Sequence, residues 1–438
     1  MVDLKRTELS VRAERAILLQ VYRKDRETLA NSALEELADL ARSARANVIG
    51  EVRQQRNNPD SRYYIGSGKV REVSALCQAK DADIVICDDD LKPSQVKNLE
   101  SSLDTKVVDR SELILGIFAQ HARTMQSKLQ VELAQLEYAF PRLKKMWTHL
   151  DRMAGGTIAG GIGVRGPGEK QLEVDRRLVQ KRISELKEKL EKIEDRHQRA
   201  AEDRNKMFTT VALVGYTNAG KSTLMNLLTK AGVTVKDQLF ETLDTRTREW
   251  DLPDGRSVML SDTVGFIRKL PHHLVASFHA TLEEAREADL LFHVCDAAAE
   301  TAAAQIEAVD DVLEEIGCGN KPRVLILNKT DILKDEMRLP LLEQKAETAI
   351  PMSARNGHGL EELAETMQSF LDEKQVEIDV EFAVGNGRLF SFLYENGLVL
   401  DESYTDGKAQ MRVRVPEGLP GIIKSMGGCI HVVAGSGS

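Results

Sequence analysis

The stretch Val211–Thr223 constrains the fold more than any other part of the chain. It reads VALVGYTNAGKST: an apolar run leads into Gly215, and Gly220, Lys221 and Ser222 complete the spacing Gly-x-x-x-x-Gly-Lys-Ser. A helix-compatible run, TLMNLLTK, follows. The pattern predicts a strand, a phosphate-binding loop and the start of a helix.

Each residue type in this loop has a chemical role. Glycines let successive backbone N–H groups turn toward a phosphate chain, and the following helix adds the positive end of its dipole. Lys221 supplies a positive charge to the outer phosphates, and Ser222 offers a hydroxyl to Mg²⁺. The predicted nucleotide-binding residues here are Gly215, Tyr216, Thr217, Asn218, Ala219, Gly220, Lys221, Ser222 and Thr223. ATP and GTP both remain open at this point, as does a glycine-rich turn without a ligand.

A second motif selects the base. Residues 322–331 read PRVLILNKTD, an apolar strand that ends in Asn328, Lys329, Thr330 and Asp331. An aspartate there can accept two hydrogen bonds from the N1–H and N2–H₂ edge of guanine, which adenine cannot donate. Alone, the motif could be a polar turn, but its position after a phosphate loop favours a guanine site. Further contacts to guanine are expected from Ser353, Ala354 and Arg355.

Two more segments are expected to complete the site. The strand pattern RSVMLSD ends in Asp262, which can hold Mg²⁺ through water, and Gly265 can bring its N–H to the γ-phosphate. The segment expected to close over the nucleotide comprises Phe240, Glu241, Thr242, Leu243 and Asp244, and Thr263 and Val264 complete the binding set. The predicted catalytic residues are Lys221, Thr242 and Gly265, and the predicted metal ligands are Ser222 and Thr242. Five elements in this order indicate a Mg²⁺-dependent GTP hydrolase.

The remaining sequence patterns divide the chain into four predicted domains. Residues 1–122 alternate strand and helix patterns, which predicts a small α/β domain with a parallel sheet. Residues 123–206 are predicted to form an antiparallel helical hairpin, 207–372 the GTPase domain, and 373–438 a small α+β domain with strands around one helix. The fold class is therefore α/β, built around a phosphate-loop GTPase domain.

The predicted hairpin carries two apolar seams and a glycine-rich loop. The seams are Leu129, Leu133, Leu136, Phe140 and Leu143 on one helix, and Ile183, Leu186, Leu190 and Ile193 on the other. Between them, residues 152–170 contain seven glycines and cannot bury a core. The loop could be a flexible linker. Nearby basic and aromatic residues favour instead a segment that becomes ordered against structured RNA. These residues are Arg142, Lys144, Lys145, Trp147, His149, Arg152 and Arg165.

Bulk composition limits the location and the partners of the chain. A net charge of −9 argues against a nucleic-acid-binding surface over the whole molecule, but it allows local basic surfaces. No apolar run is long enough to span a membrane, and a cytoplasmic monomer is expected, with peripheral membrane association left open. The cysteines are expected to be reduced thiols, mostly in the core; they are Cys77, Cys87, Cys295, Cys318 and Cys429.

The combination of motifs resembles the HflX family of ribosome-associated GTPases. The segments that carry the resemblance are Ile65–Lys69, Lys128–Tyr138, Gly161–Leu172, Phe240–Asp244 and Asp262–Pro271. Two positions differ from the family pattern: Thr245 stands where a proline is usual, and Lys170 stands where a threonine is usual.

The resemblance implies a function beyond GTP hydrolysis. It implies that the glycine-rich loop enters the peptidyl-transferase region of the large ribosomal subunit and that the GTPase splits or rescues stalled ribosomes under stress. The alternative is a GTPase switch that regulates another RNA-processing or protein partner. Phe266 follows Gly265, and an apolar ring cannot orient water, so slow hydrolysis is expected until a ribosomal surface supplies or orders a polar group.

Overall fold

The computed structural model contains three separate sheets. It describes residues 14–154, 176–193, 208–229, 240, 246–268, 279–405, 407–416 and 418–432. Within these ranges, no helix combines the length and the apolar character that a membrane span requires.

The first sheet is parallel, as predicted. Its strands are β1 (Arg15–Tyr22), β2 (Asn47–Gln55), β3 (Ile84–Cys87) and β4 (Lys106–Val108), in the order β2-β1-β3-β4. The connecting helices are α1 (Glu27–Ser43), α2 (Ser67–Lys80) and α3 (Pro93–Leu103), and α4 (Arg110–His121) follows β4. The strand β3 reads IVIC and is buried throughout, which is typical of a parallel strand covered on both faces. This unit is called the N-terminal domain below.

Two long helices follow and pack along their predicted seams. They are α5 (Met125–Ala154) and α6 (176–193), called the helical arm below. Leu133, Ile183 and Leu186 are buried together, which confirms that the two seams meet. Two ion pairs flank this contact, Arg182 with Glu132 and Lys187 with Glu137, each at 2.8 Å. The side chains of residues 143–154 and the whole of residues 155–175 lie outside the described residues, so nothing is described of the side chains of the glycine-rich loop 152–170.

The second sheet has six strands and carries the phosphate loop. They are β5 (Thr210–Gly215), β6 (Arg246–Asp251), β7 (Ser257–Asp262), β8 (Leu290–Asp296), β9 (Arg323–Asn328) and β10 (Ala349–Pro351), in the order β10-β9-β8-β5-β7-β6. The helices are α7 (Lys221–Thr229), α8 (His279–Glu287), α9 (Ala302–Glu315), α10 (Leu339–Glu343) and α11 (Leu360–Glu373). Strand β6 was not predicted from the sequence, because RTREWD is a polar edge strand with only Trp250 buried.

The third sheet is antiparallel and belongs to the C-terminal part. Its elements are β11 (Gln375–Ala383), α12 (Gly387–Asn396), β12 (Leu398–Thr405), β13 (Lys408–Pro416), α13 (Leu419–Ser425) and β14 (Cys429–Val432). The prediction of a single helix in this part was wrong, because the short segment LPGIIKS forms a second one. The strand order β12-β13-β11-β14 with two helices is that of a β-α-β-β-α-β unit.

The N-terminal domain and the GTPase sheet share one hydrophobic core. Buried residues of α1 and α4 belong to the same cluster as Tyr216, Phe240 and Phe266. The rings of Phe118 and Phe240 meet edge to face, with centroids 4.6 Å apart. The first domain therefore lies directly against the loops that the sequence assigns to the nucleotide.

Candidate nucleotide-binding site

The phosphate loop requires glycine at its two ends because other groups approach closely. Gly215 has φ +148°, and a Cβ there would lie 2.1 Å from the backbone oxygen of Val294. Gly220 has φ +96°, and a Cβ there would lie 2.2 Å from Nδ2 of Asn328. Asn218 also adopts a positive φ, of 60°. The loop thus turns sharply between β5 and α7, which begins at Lys221.

Lys221 is almost completely buried inside this loop. Its Nζ donates hydrogen bonds to the backbone oxygens of Gly215, at 3.0 Å, and Tyr216, at 2.8 Å. Burial lowers the pKa of Lys221 to about 8, although Asp262 opposes that shift. A phosphate group would supply the negative charge that this buried amine needs.

Ser222 and Asp262 form an oxygen-rich pair beside the lysine. The Ser222 hydroxyl donates to the Asp262 carboxylate at 2.8 Å, and Asp262 is 1% exposed at the end of β7. A hydroxyl and a carboxylate are the ligand types that Mg²⁺ takes in phosphate sites. Among the described residues, no group of three or more histidine, cysteine, aspartate or glutamate side chains could hold a metal by itself. The pair thus fits Mg²⁺ that shares ligands with a nucleotide.

The segment after Asp262 is bonded to the phosphate loop. The backbone N–H of Thr217 donates to Phe266 O at 2.7 Å, and the N–H of Phe266 donates to Gly215 O at 3.0 Å. A Cβ on Gly265 would lie 2.9 Å from the Cα of Thr217, so this contact requires glycine. The Phe266 ring is 2% exposed and points into the shared core.

The Asn328 side chain connects the phosphate loop to the loop after β10. Its Nδ2 donates to Ala219 O in the phosphate loop at 2.8 Å, and its Oδ1 accepts from the N–H of Ala354 at 2.9 Å. Lys329 adopts φ +66° and pairs with Asp296 at 2.8 Å. The exposed Asp331 accepts a hydrogen bond from the Ser353 hydroxyl at 2.8 Å. The loop after β9 and the loop after β10 are thus joined to the phosphate loop.

Several predicted binding residues direct their side chains away from this cleft. The Tyr216 hydroxyl contacts Glu36 of the N-terminal domain and accepts from the backbone N–H of Arg268 at 2.8 Å. Phe240 packs on Phe118, and the Thr263 hydroxyl donates to Leu213 O at 2.7 Å. The backbone N–H of Thr330 bonds Met352 O at 3.2 Å. Glu241, Thr242, Leu243 and Asp244 lie outside the described residues, so the structure does not place the second predicted Mg²⁺ ligand.

Polar residues outside the predicted motifs also support the site. Asp296 pairs with Lys329 and ends strand β8 at the same edge of the sheet. A polar residue at the carboxyl end of an apolar strand could have been noted by the same rule that identified Asp262. Glu36 and Arg110 lie far away in sequence, and no local signal indicates their contacts with this site.

Comparisons with known proteins place the whole chain among GTPases. Three family models match: "GTP-binding GTPase N-terminal" over residues 31–119, "GTP-binding GTPase Middle Region" over 121–204 and "50S ribosome-binding GTPase" over 210–329. The chain is 42% identical to the GTPase HflX of Caldanaerobacter subterraneus subsp. tengcongensis over 426 residues, covering 95% of this chain and 96% of that protein. It is also 42% identical to the GTPase HflX of Escherichia coli K12 over 409 residues, covering 92% and 94%.

Solved structures include a GTP-binding protein from the archaeon Sulfolobus solfataricus in complex with GDP. It is 26% identical, covers 81% of this chain and 98% of its own, and has a TM-score of 0.44.

Proposed function

The chain belongs to the HflX family and is a GTP hydrolase, and we propose that it binds the large ribosomal subunit and uses GTP to split or rescue stalled ribosomes. We place this activity in the cytoplasm, with the chain acting as a monomer. The partner is rRNA near the peptidyl-transferase region.

The match of residues 210–329 to the "50S ribosome-binding GTPase" model carries this proposal. The helical arm supports it: α5 runs for 30 residues and leads in sequence directly to the glycine-rich segment. One cation of the predicted RNA-binding set, Arg142, forms an ion pair within the protein instead. Arg142 is half-buried and pairs with Asp109 at 2.6 Å, so we assign RNA contacts to the cations that follow it.

We assign the nucleotide contacts residue by residue. Lys221 binds the β- and γ-phosphates, because its buried amine lies in the loop that would hold them. The N–H of Gly265 faces the γ-phosphate, and Asp331 recognises the guanine edge. Asn328 has both side-chain groups bonded to loops of the site, so its role is to hold those loops in place. Lys329, Ser353, Ala354 and Arg355 complete the guanine pocket.

Mg²⁺ fits the pair formed by Ser222 and Asp262. Ser222 would ligate it directly, Asp262 would hold its water shell, and Thr242 would add a ligand from the closing segment. The ion would neutralise charge on the β- and γ-phosphate oxygens. The chain itself contributes positioning, through the Ser222–Asp262 hydrogen bond at the end of β7.

The free protein should hydrolyse GTP slowly. Phe266 is buried and its backbone is bonded to the phosphate loop, so no polar side chain at this position can orient the attacking water. Purified large subunits should raise kcat by at least about tenfold at saturating GTP, because one oriented polar group contributes about that much or more. Equal turnover with and without large subunits would contradict this mechanism.

Co-sedimentation with separated subunits tests the proposed partner. The full chain, loaded with a non-hydrolysable GTP analogue at low ionic strength, should pellet with large subunits and not with small ones. Deleting residues 153–168 should abolish pelleting but leave GTP binding, measured by calorimetry, unchanged. Absence of wild-type binding to ribosomal particles under these conditions would refute the proposal.

A salt series separates RNA binding from the alternative of a protein partner. Contacts to RNA phosphates release counterions, so affinity should fall steeply, by about a hundredfold or more between 50 and 200 mM salt for several contacts. A flat salt dependence would favour a switch that binds a protein instead.

A further inference from the structure

A buried network connects the N-terminal domain to the nucleotide loops. Arg110 is 1% exposed and donates to Asp88 at 2.9 Å, to Glu36, and to the backbone oxygen of Arg268 at 3.1 Å. Glu36 also accepts from the Tyr216 hydroxyl. Tyr216 belongs to the phosphate loop, and Arg268 lies three residues after Gly265. Arg110 therefore contacts both loops that are expected to surround the γ-phosphate, one of them through Glu36.

The residue before Arg110 contacts the helical arm. Asp109 is fully buried and accepts hydrogen bonds from the Tyr138 hydroxyl and from Arg142, both at 2.6 Å. It also caps α4 by accepting from the N–H of Glu112 at 3.0 Å. The Arg142 guanidinium lies 3.4 Å from the centroid of the Tyr138 ring, which fixes this end of the contact. Two adjacent residues at the start of α4 thus face opposite ways, one to the arm and one to the GTPase site.

We propose that Asp109 and Arg110 couple the helical arm to the nucleotide site, so that the position of the arm and the arrangement of the loops around the γ-phosphate depend on each other. Both act as positioning residues, through Tyr138 and Arg142 on one side and Tyr216 and Arg268 on the other. This regulation adds to the proposed function, but its tests need no ribosomal particle, so the two can fail separately.

Burial and charge pairing restrict the movement of the side chains that connect the arm to the nucleotide loops. Burial acts to lower the pKa of Arg110, but Glu36 and Asp88 together raise it above its ordinary value, so the guanidinium stays charged. Burial, followed by Glu36, raises the pKa of Tyr216, which keeps its hydroxyl protonated as a donor. Breaking one partner of a buried pair leaves the other charge uncompensated. Small displacements at either end are therefore transmitted rather than absorbed.

Amide hydrogen exchange on the full chain tests the direction from nucleotide to arm. A bound nucleotide orders the phosphate loop, which fixes Tyr216 and should slow exchange in residues 125–142 by about threefold or more. The variant Glu36→Gln replaces the carboxylate that accepts from both Arg110 and Tyr216 by an amide with one acceptor oxygen, and it changes neither the arm nor the phosphate loop. It should lose most of this effect while still binding the GTP analogue. An effect of equal size in Glu36→Gln, or none in the wild type, would overturn the proposal.

GTP hydrolysis by the free protein tests the direction from arm to nucleotide. Arg142→Met should lower kcat about threefold or more and leave KM within about twofold, since it disturbs positioning rather than binding. Arg182→Met is the matched control: it cuts another arm ion pair, with Glu132, at a site without a described contact to Asp109. Its kcat should stay at the wild-type value. Equal effects of the two variants, or a rise in kcat for Arg142→Met, would overturn the coupling, with melting curves verifying that both are folded.

Discussion

Changing Asp331 to Asn should convert the site from guanine to xanthine recognition. The Asp331 carboxylate is exposed, and the Ser353 hydroxyl donates to its Oδ1 at 2.8 Å. In the variant, that hydroxyl would hold the amide oxygen and leave the NH₂ group toward the base. Guanine presents two donors there, so both of its hydrogen bonds to this residue would be compromised.

The expected magnitude follows from these two hydrogen bonds. Each hydrogen bond to a charged group contributes about 1.5–3 kcal/mol, so two contribute about 3–6 kcal/mol. At about 1.4 kcal/mol per factor of ten, GTP affinity should fall by about 10²- to 10⁴-fold. Xanthosine triphosphate offers an acceptor where guanine has an amino group, so its affinity should rise. It should stay below that of wild-type GTP binding, because neutral hydrogen bonds are about half as strong.

Calorimetric titration with GTP and with xanthosine triphosphate measures both changes. Asp335→Asn is the matched control: it makes the same chemical change four residues on, where the side chain caps a short turn by accepting from the N–H of Met337 at 3.1 Å. That variant should bind GTP like the wild type. GTP affinity of Asp331→Asn within about threefold of wild type would refute the assignment of Asp331, because even one lost charged hydrogen bond exceeds that factor.

Three further perturbations test other parts of the molecule. Ser222→Ala removes a hydrogen-bond donor to Asp262 and a proposed Mg²⁺ ligand, so kcat, measured over a range of Mg²⁺ concentrations, should fall about tenfold or more. A kcat equal to that of the wild type at every Mg²⁺ concentration would exclude Ser222 as a Mg²⁺ ligand. Gly215→Ala places a Cβ 2.1 Å from a backbone oxygen and should reduce the free energy of unfolding by about 3 kcal/mol or more in urea. Burial, and then Asp109, raises the pKa of Glu112 to about 7, so the folded state favours the protonated form and loses stability as pH rises from about 4.5 to 7. Glu112→Gln should remove this loss, so its free energy of unfolding should exceed that of the wild type by up to about 3 kcal/mol at pH 8 and by little at pH 4. A difference in unfolding free energy that is the same at every pH would contradict this cause.

Local patterns sufficed for elements whose residues interact with their neighbours in sequence. The phosphate loop could be predicted because glycine spacing, an apolar strand and the start of a helix lie within thirteen residues. The arm could be predicted because its apolar seam repeats along each helix, and Leu133 and Leu186 are buried as that seam requires. The polar edge strand β6 and the short helix α13 could not, because neither has a sustained period.

Side-chain direction in the site was less predictable than the site itself. Tyr216 lies within the phosphate-loop motif, yet its hydroxyl bonds Glu36, 180 residues away. Phe240 opens the predicted closing segment, yet its ring packs on Phe118. A motif fixes where the backbone turns, but the surroundings of each side chain depend on which domain packs there.

Short sequence motifs were enough to place a phosphate loop in a GTPase domain and to propose Lys221 and Ser222 for the phosphates and Mg²⁺, and Asp331 for guanine. These features depend on residue types at fixed short spacings, which the chain alone records. The contacts of Asp109 with the arm and of Arg110 with the loops of the GTPase domain became visible only in the folded chain, because a buried charge is stable only beside partners that folding brings from distant segments. Arg110 reaches Arg268 across 158 residues, a contact that no local spacing encodes.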